Sequence, residues 1–355
     1  MNEFSAEKVW SLSDKELLSL LDSGKLIQTT RKVKFYVPSF AFQKTSASRS
    51  SEGRFPTISV TGNECALGCK HCGRKVLKTM VPARTPTKLF EIAQKLKRDG
   101  AVGCLVSGGC LANGAVPLER FAPVLGRIKR ELGLTVIVHT GIVSGSIAEA
   151  LKDSGIDAAL IDVIGSELTI RQVCKLNINA DDYENSLTML RKTGLNVVPH
   201  IIVGLQNGML EGEFQALKMV RRYDPSALVI IAFMPIRGTE MENVKPPSPI
   251  AIARVVAAAR LFFPEVPLAL GCMRPKGKHR VQTDALALKA GADAIAFPSE
   301  EAIRYAQEKG FDVAFSPYCC SQIYVDLGKH CSKRFEVTFE TRFSRAIKDW
   351  NLFFA

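Results

Sequence analysis

Residues 55–72 of the chain read FPTISVTGNECALGCKHC. The first part of this segment is an apolar, strand-like run, and the second part holds Cys65, Cys69 and Cys72. Cysteine thiolates are the protein ligands of iron–sulfur clusters. Three such ligands on a cube of four irons leave one iron open, where a small molecule can bind. The C-x3-C-x2-C spacing therefore predicts a 4Fe–4S site in a loop that directly follows a strand.

A zinc site is the alternative use of this loop, with Cys65, Cys69, His71 and Cys72 as its ligands. Structural zinc sites usually pair two separated half-sites, each with its own closely spaced ligands. The sequence contains no second C-x-x-C half-site. The iron–sulfur interpretation is therefore the favoured one.

From residue 55 onward, short apolar strands alternate with amphipathic helical segments. The predicted strands are 57–60, 102–107, 134–139, 158–163, 196–203, 228–234, 267–270 and 293–297. Strands that alternate with helices form parallel sheets, and eight such units favour a closed TIM-like βα barrel. A doubly wound open sheet is the structural alternative. In a barrel the chemistry lies at the carboxyl ends of the strands, and the cysteines follow the first strand.

Two extensions flank the predicted barrel. Residues 1–54 form an N-terminal extension, with a helix capped by Ser13 and Glu16 and an edge strand at 32–37. The predicted barrel covers residues 55–310. A short C-terminal extension covers residues 311–355.

The composition is that of a soluble globular protein, with 46% hydrophobic and 23% charged residues. No apolar run reaches the roughly 18 residues of a membrane span, and no signal peptide is visible. Ten cysteines without an export signal argue for a reducing compartment, where thiols serve metals or chemistry. We therefore expect a cytoplasmic protein that does not act at a membrane.

The chain carries 47 Lys and Arg against 35 Asp and Glu, a formal net charge of +12. Such an excess favours anionic partners, including an acidic protein. No arginine-rich tract or nucleic-acid-binding motif appears, so nucleic acid is not an expected partner.

The cysteine motif resembles that of the radical S-adenosylmethionine (SAM) superfamily. This resemblance implies that Cys65, Cys69 and Cys72 hold a 4Fe–4S cluster, and that SAM chelates the open iron through its amino and carboxylate groups. The adenine side of SAM would then meet the segment after the fifth strand, which opens at Gly204.

The second predicted strand ends in Ser107-Gly108-Gly109-Cys110. Paired glycines let the backbone approach a bound ligand closely, because no Cβ intervenes. In the superfamily a Gly-Gly-Glu-type turn at this place receives the SAM amino group. Gly108 and Gly109 match that turn, whereas Cys110 stands where the family often has glutamate. Only the two glycines are therefore carried over.

Polar residues at other strand ends are further candidates. Arg171, just beyond the fourth strand, is predicted to pair with the SAM carboxylate, because arginine offers a planar two-point donor. Arg274 follows the seventh strand and is expected to point toward the barrel mouth, with a solvated surface arginine as the alternative. His139 ends the third strand and His200 lies on the fifth. Both are candidate site residues. Asp162 ends the fourth strand, and a satisfied core role is the alternative for His139 and for Asp162.

A second group of cysteines, Cys319, Cys320 and Cys331, lies beyond the eighth strand. Neighbouring side chains diverge, so adjacent cysteines are not easily both inert core residues. We expect a second iron–sulfur cluster near the barrel mouth, with Cys272 as a competing ligand to Cys331. The alternative is one buried and one exposed thiol.

Several short stretches extend the resemblance over most of the chain. They are Ser107-Gly108-Gly109, Val116-Pro117-Leu118, Val138-His139-Thr140-Gly141, Pro199-His200-Ile201, Arg237-Gly238-Thr239-Glu240-Met241-Glu242, Leu270-Gly271-Cys272-Met273-Arg274-Pro275 and Cys319-Cys320-Ser321. Together they resemble the biotin-synthase-related radical SAM proteins that form two-component lipoyl synthases in archaea and some bacteria.

This resemblance implies sulfur insertion by radical chemistry. A 5′-deoxyadenosyl radical abstracts hydrogen from an unactivated C–H bond, and a second 4Fe–4S cluster donates sulfur. The expected partners are a homologous radical SAM subunit, an octanoyl chain on the lysine of an acidic lipoyl carrier domain, and an electron donor such as ferredoxin or flavodoxin. Two alternatives stay open: another radical SAM enzyme, such as a biotin-type synthase or a cofactor maturase, and a non-catalytic metal-binding protein.

Overall fold

The computed structural model describes residues 4–26, 32–38 and 54–327. Within these ranges the strands form one sheet, and the helices pack on one of its faces. The strands are β1 (Lys32–Tyr36), β2 (Thr57–Ser59), β3 (Val81–Pro82), β4 (Gly103–Ser107), β5 (Thr135–His139), β6 (Ala158–Asp162), β7 (Val197–Val203), β8 (Leu228–Ala232), β9 (Leu268–Leu270), β10 (Ala294–Ala296) and β11 (Asp312–Ser316).

The helices follow the strands in alternation, as the sequence pattern predicts. They are α1 (Ala6–Ser11), α2 (Asp14–Asp22), α3 (Pro86–Arg98), α4 (Ala122–Arg127), α5 (Gly145–Ser154), α6 (Glu167–Gln172), α7 (Ala180–Lys192), α8 (Glu213–Arg221), α9 (Pro249–Phe262), α10 (Lys278–Lys289), α11 (Glu300–Glu308) and α12 (Ile323–Leu327), with 3-10 turns at Lys75–Thr79, Glu119–Phe121 and Cys320–Gln322 and a π-helical turn at Ile128–Leu132. None of the helices described is both long and apolar enough to span a lipid bilayer.

The sheet is entirely parallel, in the order β11-β1-β10-β9-β8-β7-β6-β5-β4-β2-β3. All eight predicted strands are present, as β2 and β4 to β10, with bounds within two residues of the prediction. The predicted TIM-like βα architecture is thus confirmed. The predicted closure between the eighth strand and the first is wrong, because β10 pairs with β1 and β2 pairs with β3. Within the described residues the sheet is an open, curled half-barrel.

The strand predicted to lie at an edge is instead an interior strand. β1 lies between β10 and β11, so that Phe35 pairs with Ile295 on one side and with Phe315 on the other. Lys34 interrupts the apolar run that marks a buried strand; its ammonium forms a 3.4 Å ion pair with Asp326. Strands from all three predicted segments, 1–54, 55–310 and 311–355, therefore share one sheet.

Alternating residues of the strands face two different cores, as the pleat requires. One set, which includes Val138 of β5 and Ile161 of β6, packs against the surrounding helices. The other set, which includes Ile137 and Leu160, faces the concave interior of the half-barrel and packs with Cys319, among others. The segment from Cys319 onward therefore fills the barrel interior, where it contacts β8, β9 and β10.

The N-terminal helices dock on α9 through a buried arginine. The predicted cap of α2 is present, since the Ser13 hydroxyl accepts from the backbone N–H of Glu16, whose carboxylate accepts from the N–H of Ser13. Arg254 of α9 donates hydrogen bonds to the carbonyl oxygens that end α1, including that of Leu12, and to the Asp14 carboxylate at 2.7 Å. These bonds satisfy helix-end groups that would otherwise lack partners.

Candidate active site

The first predicted cluster site is a compact turn after β2. We call residues 65–72 the cysteine loop. The sulfur atoms of Cys69 and Cys72 and one ring nitrogen of His71 all lie within 4.8 Å of one another. Gly68 turns the chain with a φ of +60°, a conformation that glycine adopts without strain. Local backbone geometry thus brings two of the three predicted ligands together.

Hydrogen bonds and burial favour the protonated form of two thiols in the cysteine loop, those of Cys69 and Cys72. The Cys69 thiol donates to the carbonyl oxygen of Cys174 at 3.1 Å, and this bond raises its pKa. The pKa of Cys72 is raised by its hydrogen bond with Cys69 and by burial. Metal ligation requires the thiolate. A bound cation must therefore supply the charge that makes these sulfurs ligands.

The turn that follows β4 packs against the cysteine loop and is hydrogen-bonded to the residues just before it. The Thr61 hydroxyl accepts a hydrogen bond from the Gly109 N–H at 2.7 Å and donates one to the carbonyl oxygen of Glu64 at 2.8 Å. A Cβ at position 109 would collide with that carbonyl and lie 2.5 Å from the Cβ of Cys65. Gly109 therefore makes room for the cysteine loop itself. Gly108 is less crowded, with Thr61 side-chain atoms 3.1 Å from its Cβ position.

A fourth cysteine, Cys110, lies at this site, although the sequence did not predict it as a site residue. Cys110 follows Gly109, and its carbonyl oxygen accepts a 2.8 Å hydrogen bond from Ala66 in the cysteine loop. Burial and the nearby Cys65 thiol raise the pKa of Cys110 to about 12. Its position in place of the expected glutamate was the available signal, because it follows directly on the paired glycines.

His71 keeps both metal hypotheses compatible with the local geometry. Its Nδ1 atom is buried and has no hydrogen-bond partner among the residues that the structure describes. Burial lowers the pKa of His71 to about 4, so the neutral ring prevails. The thiols of the loop fit an iron–sulfur cluster by donor chemistry. With His71 they also form the zinc set, so the decision between the metals rests on the family comparison below.

Three polar side chains from neighbouring strands form a second cluster, which we call the histidine–aspartate group: His139, Asp162 and His200. One ligating atom from each lies within 4.8 Å of the others. His139 Nε2 is 3.5 Å from Asp162 Oδ1, and the two imidazole rings are 5.3 Å apart between centroids. The strand order β5-β6-β7 makes them neighbours, because Asp162 pairs in register with His200.

The two histidines of this group differ in protonation. Burial and, to a smaller extent, the nearby His139 lower the pKa of His200 to about 4. Burial also lowers the pKa of His139, but the Asp162 carboxylate outweighs it, so the net shift is upward. For Asp162 burial raises the pKa, and interaction with His139 reverses this to a net lowering. The group therefore pairs a charged His139–Asp162 couple with a neutral His200.

The second predicted cluster site lies in the barrel interior. Cys319 and Cys320 are buried there, and Cys272, after β9, packs against the same interior core. We call these three the interior cysteines. Burial and then the nearby Cys319 raise the pKa of Cys272. Cys331, the other predicted ligand, lies outside the residues that the structure describes.

A hydrogen bond with Cys320 lowers the pKa of Cys319 to about 7 and raises that of Cys320. Of the two neighbouring thiols, Cys319 therefore loses its proton more readily. The Ser321 hydroxyl lies 3.7 Å from the sulfur of Cys319 and 3.4 Å from Nε2 of His200. This serine joins the interior cysteines to the histidine–aspartate group.

Arg274 is not a solvated surface residue. Its side chain is fully buried and forms a 2.8 Å ion pair with Asp284 of α10. The remaining guanidinium N–H groups donate to the carbonyl oxygens of Gly271, Ala296 and Phe297 at 2.6, 2.7 and 3.1 Å. These oxygens at the ends of β9 and β10 draw the side chain inward. The alternative of a solvated surface arginine is therefore wrong, whereas its place at the barrel mouth stays a prediction.

The two other predicted SAM contacts lie at the same end of the sheet. Gly204 follows β7 with a φ of +73°, and a Cβ there would lie 2.6 Å from the Pro247 ring. Arg171, near the end of α6, is exposed and meets Glu167 at 3.5 Å and Asn179 at 3.3 Å. Their contacts with SAM stay predictions.

Two family models match the chain. The radical SAM superfamily model matches residues 59–211, and the model of the biotin and thiamin synthesis associated domain matches residues 230–350. The first contains the cysteine loop and the histidine–aspartate group, and the second contains the interior cysteines.

Curated relatives with similar sequences are biotin synthases. That of Prochlorococcus marinus strain NATL2A is 24% identical over 83% of this chain and 81% of its own length. That of Geotalea daltonii is 24% identical over 64% of this chain and 70% of its own. The Rhodopseudomonas palustris protein is 28% identical over 67% of each chain.

Solved structures show the same fold at low sequence identity. Methylornithine synthase aligns with a TM-score of 0.59 at 17% identity, over 88% of this chain and 95% of that one. HydG, a maturase of the FeFe-hydrogenase, aligns with a TM-score of 0.63 at 14% identity, over 90% of this chain and 74% of that one. Fold, cysteine motif and family models agree. The chain is a radical SAM iron–sulfur enzyme, and it belongs to the biotin-synthase-related branch of that superfamily.

Proposed function

We propose that the protein inserts sulfur into the octanoyl chain of a lipoyl carrier domain, as one subunit of a two-component lipoyl synthase. The observation that carries the proposal is the burial of Cys319 and Cys320 in the barrel interior beside Cys272. A sulfur source there lies within the same half-barrel as the cysteine loop. Inert thiols do not require such a grouping.

In this proposal Cys65, Cys69 and Cys72 hold the 4Fe–4S cluster that binds SAM, and the interior cysteines hold a second one. When bound, the first cluster and SAM supply a carbon-centred radical on the substrate, and the second supplies sulfur. The SAM contacts are assigned to four residues by family resemblance: Gly108, Gly109, Arg171 and Gly204.

The chain itself provides orientation and the exclusion of water. The barrel interior is lined by apolar side chains such as Ile137, Leu160 and Val198, which suit an alkyl chain. Protein scaffolds supply position and shelter to reactive cofactors, whereas the cofactor carries out the difficult bond cleavage. The apolar interior would exclude water, and the thiols and the nearby histidine–aspartate group would orient the reacting groups.

The proposed partners are proteins. An acidic carrier domain fits the +12 charge of the chain, because complementary charge steers association. A homologous radical SAM subunit would complete the enzyme. A ferredoxin or flavodoxin would supply the electron for SAM cleavage.

A biotin-synthase-like reaction on a small free substrate is the second candidate. It is favoured by the three curated relatives described above, which are called biotin synthases. The same two cysteine groups would serve that reaction, so the substrate separates the two candidates. The family membership favours either enzyme over a non-catalytic metal-binding protein.

The test offers both substrates to the anaerobically reconstituted protein. An octanoylated carrier domain and the sulfur-free precursor of biotin are each incubated with SAM and reductant, with and without a candidate partner subunit. We expect mass spectrometry to show added sulfur on the carrier. Sulfur in the biotin precursor alone would reject the lipoyl proposal, and 5′-deoxyadenosine without sulfur transfer to either substrate would reject both.

A further inference from the structure

We infer that His200 is a nitrogen ligand of the second cluster, so that the interior centre is held by thiolates and one imidazole. The inference rests on the second cluster of the proposed function and assigns one of its ligands. The observations that carry it are the orientation of the His200 ring, its link to Cys319 through Ser321, and the burial of all three side chains.

The backbone fixes which nitrogen of His200 is available. Nδ1 lies 3.1 Å from the carbonyl oxygen of Val198 on the same strand. A carbonyl oxygen only accepts, so Nδ1 carries the hydrogen and the lone pair of the neutral ring is on Nε2. Histidines that bind metals commonly donate their second N–H to a backbone carbonyl in this way, which sets the tautomer and the ring orientation.

The free lone pair points toward the interior cysteines. Nε2 of His200 is 3.4 Å from the Ser321 hydroxyl, which is 3.7 Å from the sulfur of Cys319. Ser321 is itself fully buried between them. A cluster bound at Cys319 and Cys320 would thus meet Nε2 of His200 across this hydroxyl, and rotation of the Ser321 side chain would clear the space between the ring and the cluster.

His139 is the matched comparison within the same group. The centroid of its ring lies 5.3 Å from that of the His200 ring, but its Nε2 faces the Asp162 carboxylate at 3.5 Å. This nitrogen therefore carries a hydrogen that it directs at the carboxylate, and it offers no lone pair to a metal at the sulfurs. The alternative is a single metal ion held by His139, Asp162 and His200 without thiolates. It requires His139 as a ligand, whereas our inference does not, so a change at His139 distinguishes the two.

The test uses a variant that carries only the second cluster. Cys65, Cys69 and Cys72 are changed to alanine, the protein is reconstituted anaerobically with iron and sulfide, and the reduced cluster is examined by pulsed electron paramagnetic resonance. We expect a coupled nitrogen whose signal changes when histidine is supplied as the 15N isotope. This measurement needs no change at His200 and so does not depend on how such a variant folds.

Substitutions then identify the histidine. His200→Cys should keep the iron and lose the nitrogen signal, and its cluster should have a lower reduction potential, because a thiolate replaces a neutral ligand. His139→Gln should keep the signal. A bound cluster without histidine coupling overturns the assignment of His200 alone. Loss of the signal in His139→Gln assigns it to the histidine–aspartate group, and absence of iron overturns the second cluster itself.

Discussion

The guanidinium of Arg274 and the carboxylate of Asp284 form an ion pair that is sealed from solvent. Arg274 Nε lies 2.8 Å from Asp284 Oδ1, and both side chains are 0% exposed. The other oxygen of Asp284 accepts the backbone N–H of Ser299 at 2.8 Å. This pair ties the ends of β9 and β10 to α10, directly beside Cys272.

We expect Asp284→Asn to destabilise the protein by about 3–5 kcal/mol, because it leaves a buried guanidinium without a counter-charge. Glu131→Gln is the matched control, since it breaks the exposed Arg127–Glu131 pair, also at 2.8 Å. Exposed pairs of this kind contribute little to stability, because water and salt screen the two charges. Urea unfolding of both variants in the same cluster state measures the difference. Equal losses would contradict the buried-charge argument.

A second prediction concerns the packing of Gly109 against the cysteine loop. Gly109→Ala should displace that loop, because the new Cβ would collide with the Glu64 carbonyl and crowd Cys65. We expect a reduced iron content and slower reductive cleavage of SAM. Gly145→Ala is the control: its Cβ would meet only the Met189 sulfur, at 3.7 Å. Normal iron content in Gly109→Ala would show that the loop tolerates the added methyl.

The sequence reveals the sheet well because parallel strands are buried on both faces and read as short apolar runs. All eight predicted strands satisfy that description. β1 does not, since Lys32 and Lys34 alternate with its apolar residues, and its place beside β10 depends on pairings far along the chain. Closure of the barrel was predicted wrongly because it too depends on strand pairings between distant parts of the chain.

The candidate site also has one part that the sequence predicts and another that depends on the folded chain. The cysteine loop is local, so its spacing alone identifies it. The meeting of Cys272, Cys319 and His200 depends on how three distant segments return to the interior, which no spacing encodes. The burial of Arg274 was not predicted, because the carboxylate that neutralises it lies ten residues further on, in α10. A charged residue was therefore expected near solvent, where it usually lies.

The third prediction tests the ligands of the SAM cluster. Alanine at Cys65, Cys69 or Cys72 should abolish formation of 5′-deoxyadenosine while leaving the fold largely intact, because the loop lies outside the sheet. Cys110→Ala is the informative comparison, since this thiol adjoins Cys65 without belonging to the motif. We expect it to retain SAM cleavage. If a motif variant forms 5′-deoxyadenosine at the parent rate, that cysteine is not a ligand.

The fourth prediction concerns the acidic carrier. Residues 70–78 carry four basic side chains and no acidic one, and Arg74 and Lys78 are exposed. Carrier binding should weaken as salt rises, since exposed charges are screened within about 8–10 Å near physiological ionic strength. The double change Arg74→Glu with Lys78→Glu should weaken binding and flatten its salt dependence, as measured by titration calorimetry.

The control for this charge reversal lies at the opposite end of the sheet. Lys97 and Arg98 end α3, just before the start of β4, and both are exposed. Reversing them changes the net charge equally but should leave carrier binding nearly unchanged. Equal weakening by both double variants would indicate an effect of net charge and not a docking face around residues 70–78.

The fifth prediction is the iron content of the protein. Two four-iron cubes, one in the cysteine loop and one at the interior cysteines, give about eight irons per chain. The double change Cys319→Ala with Cys320→Ala should halve this number, leave SAM cleavage measurable and eliminate sulfur insertion. The physical reason is that the two thiol groups are separate ligand sets. Cys104→Ala provides the control, because this fully buried cysteine of β4 packs in the outer core and should keep all the iron. Full iron content in the double variant would make Cys319 and Cys320 structural residues, and sulfur transfer would then require another source.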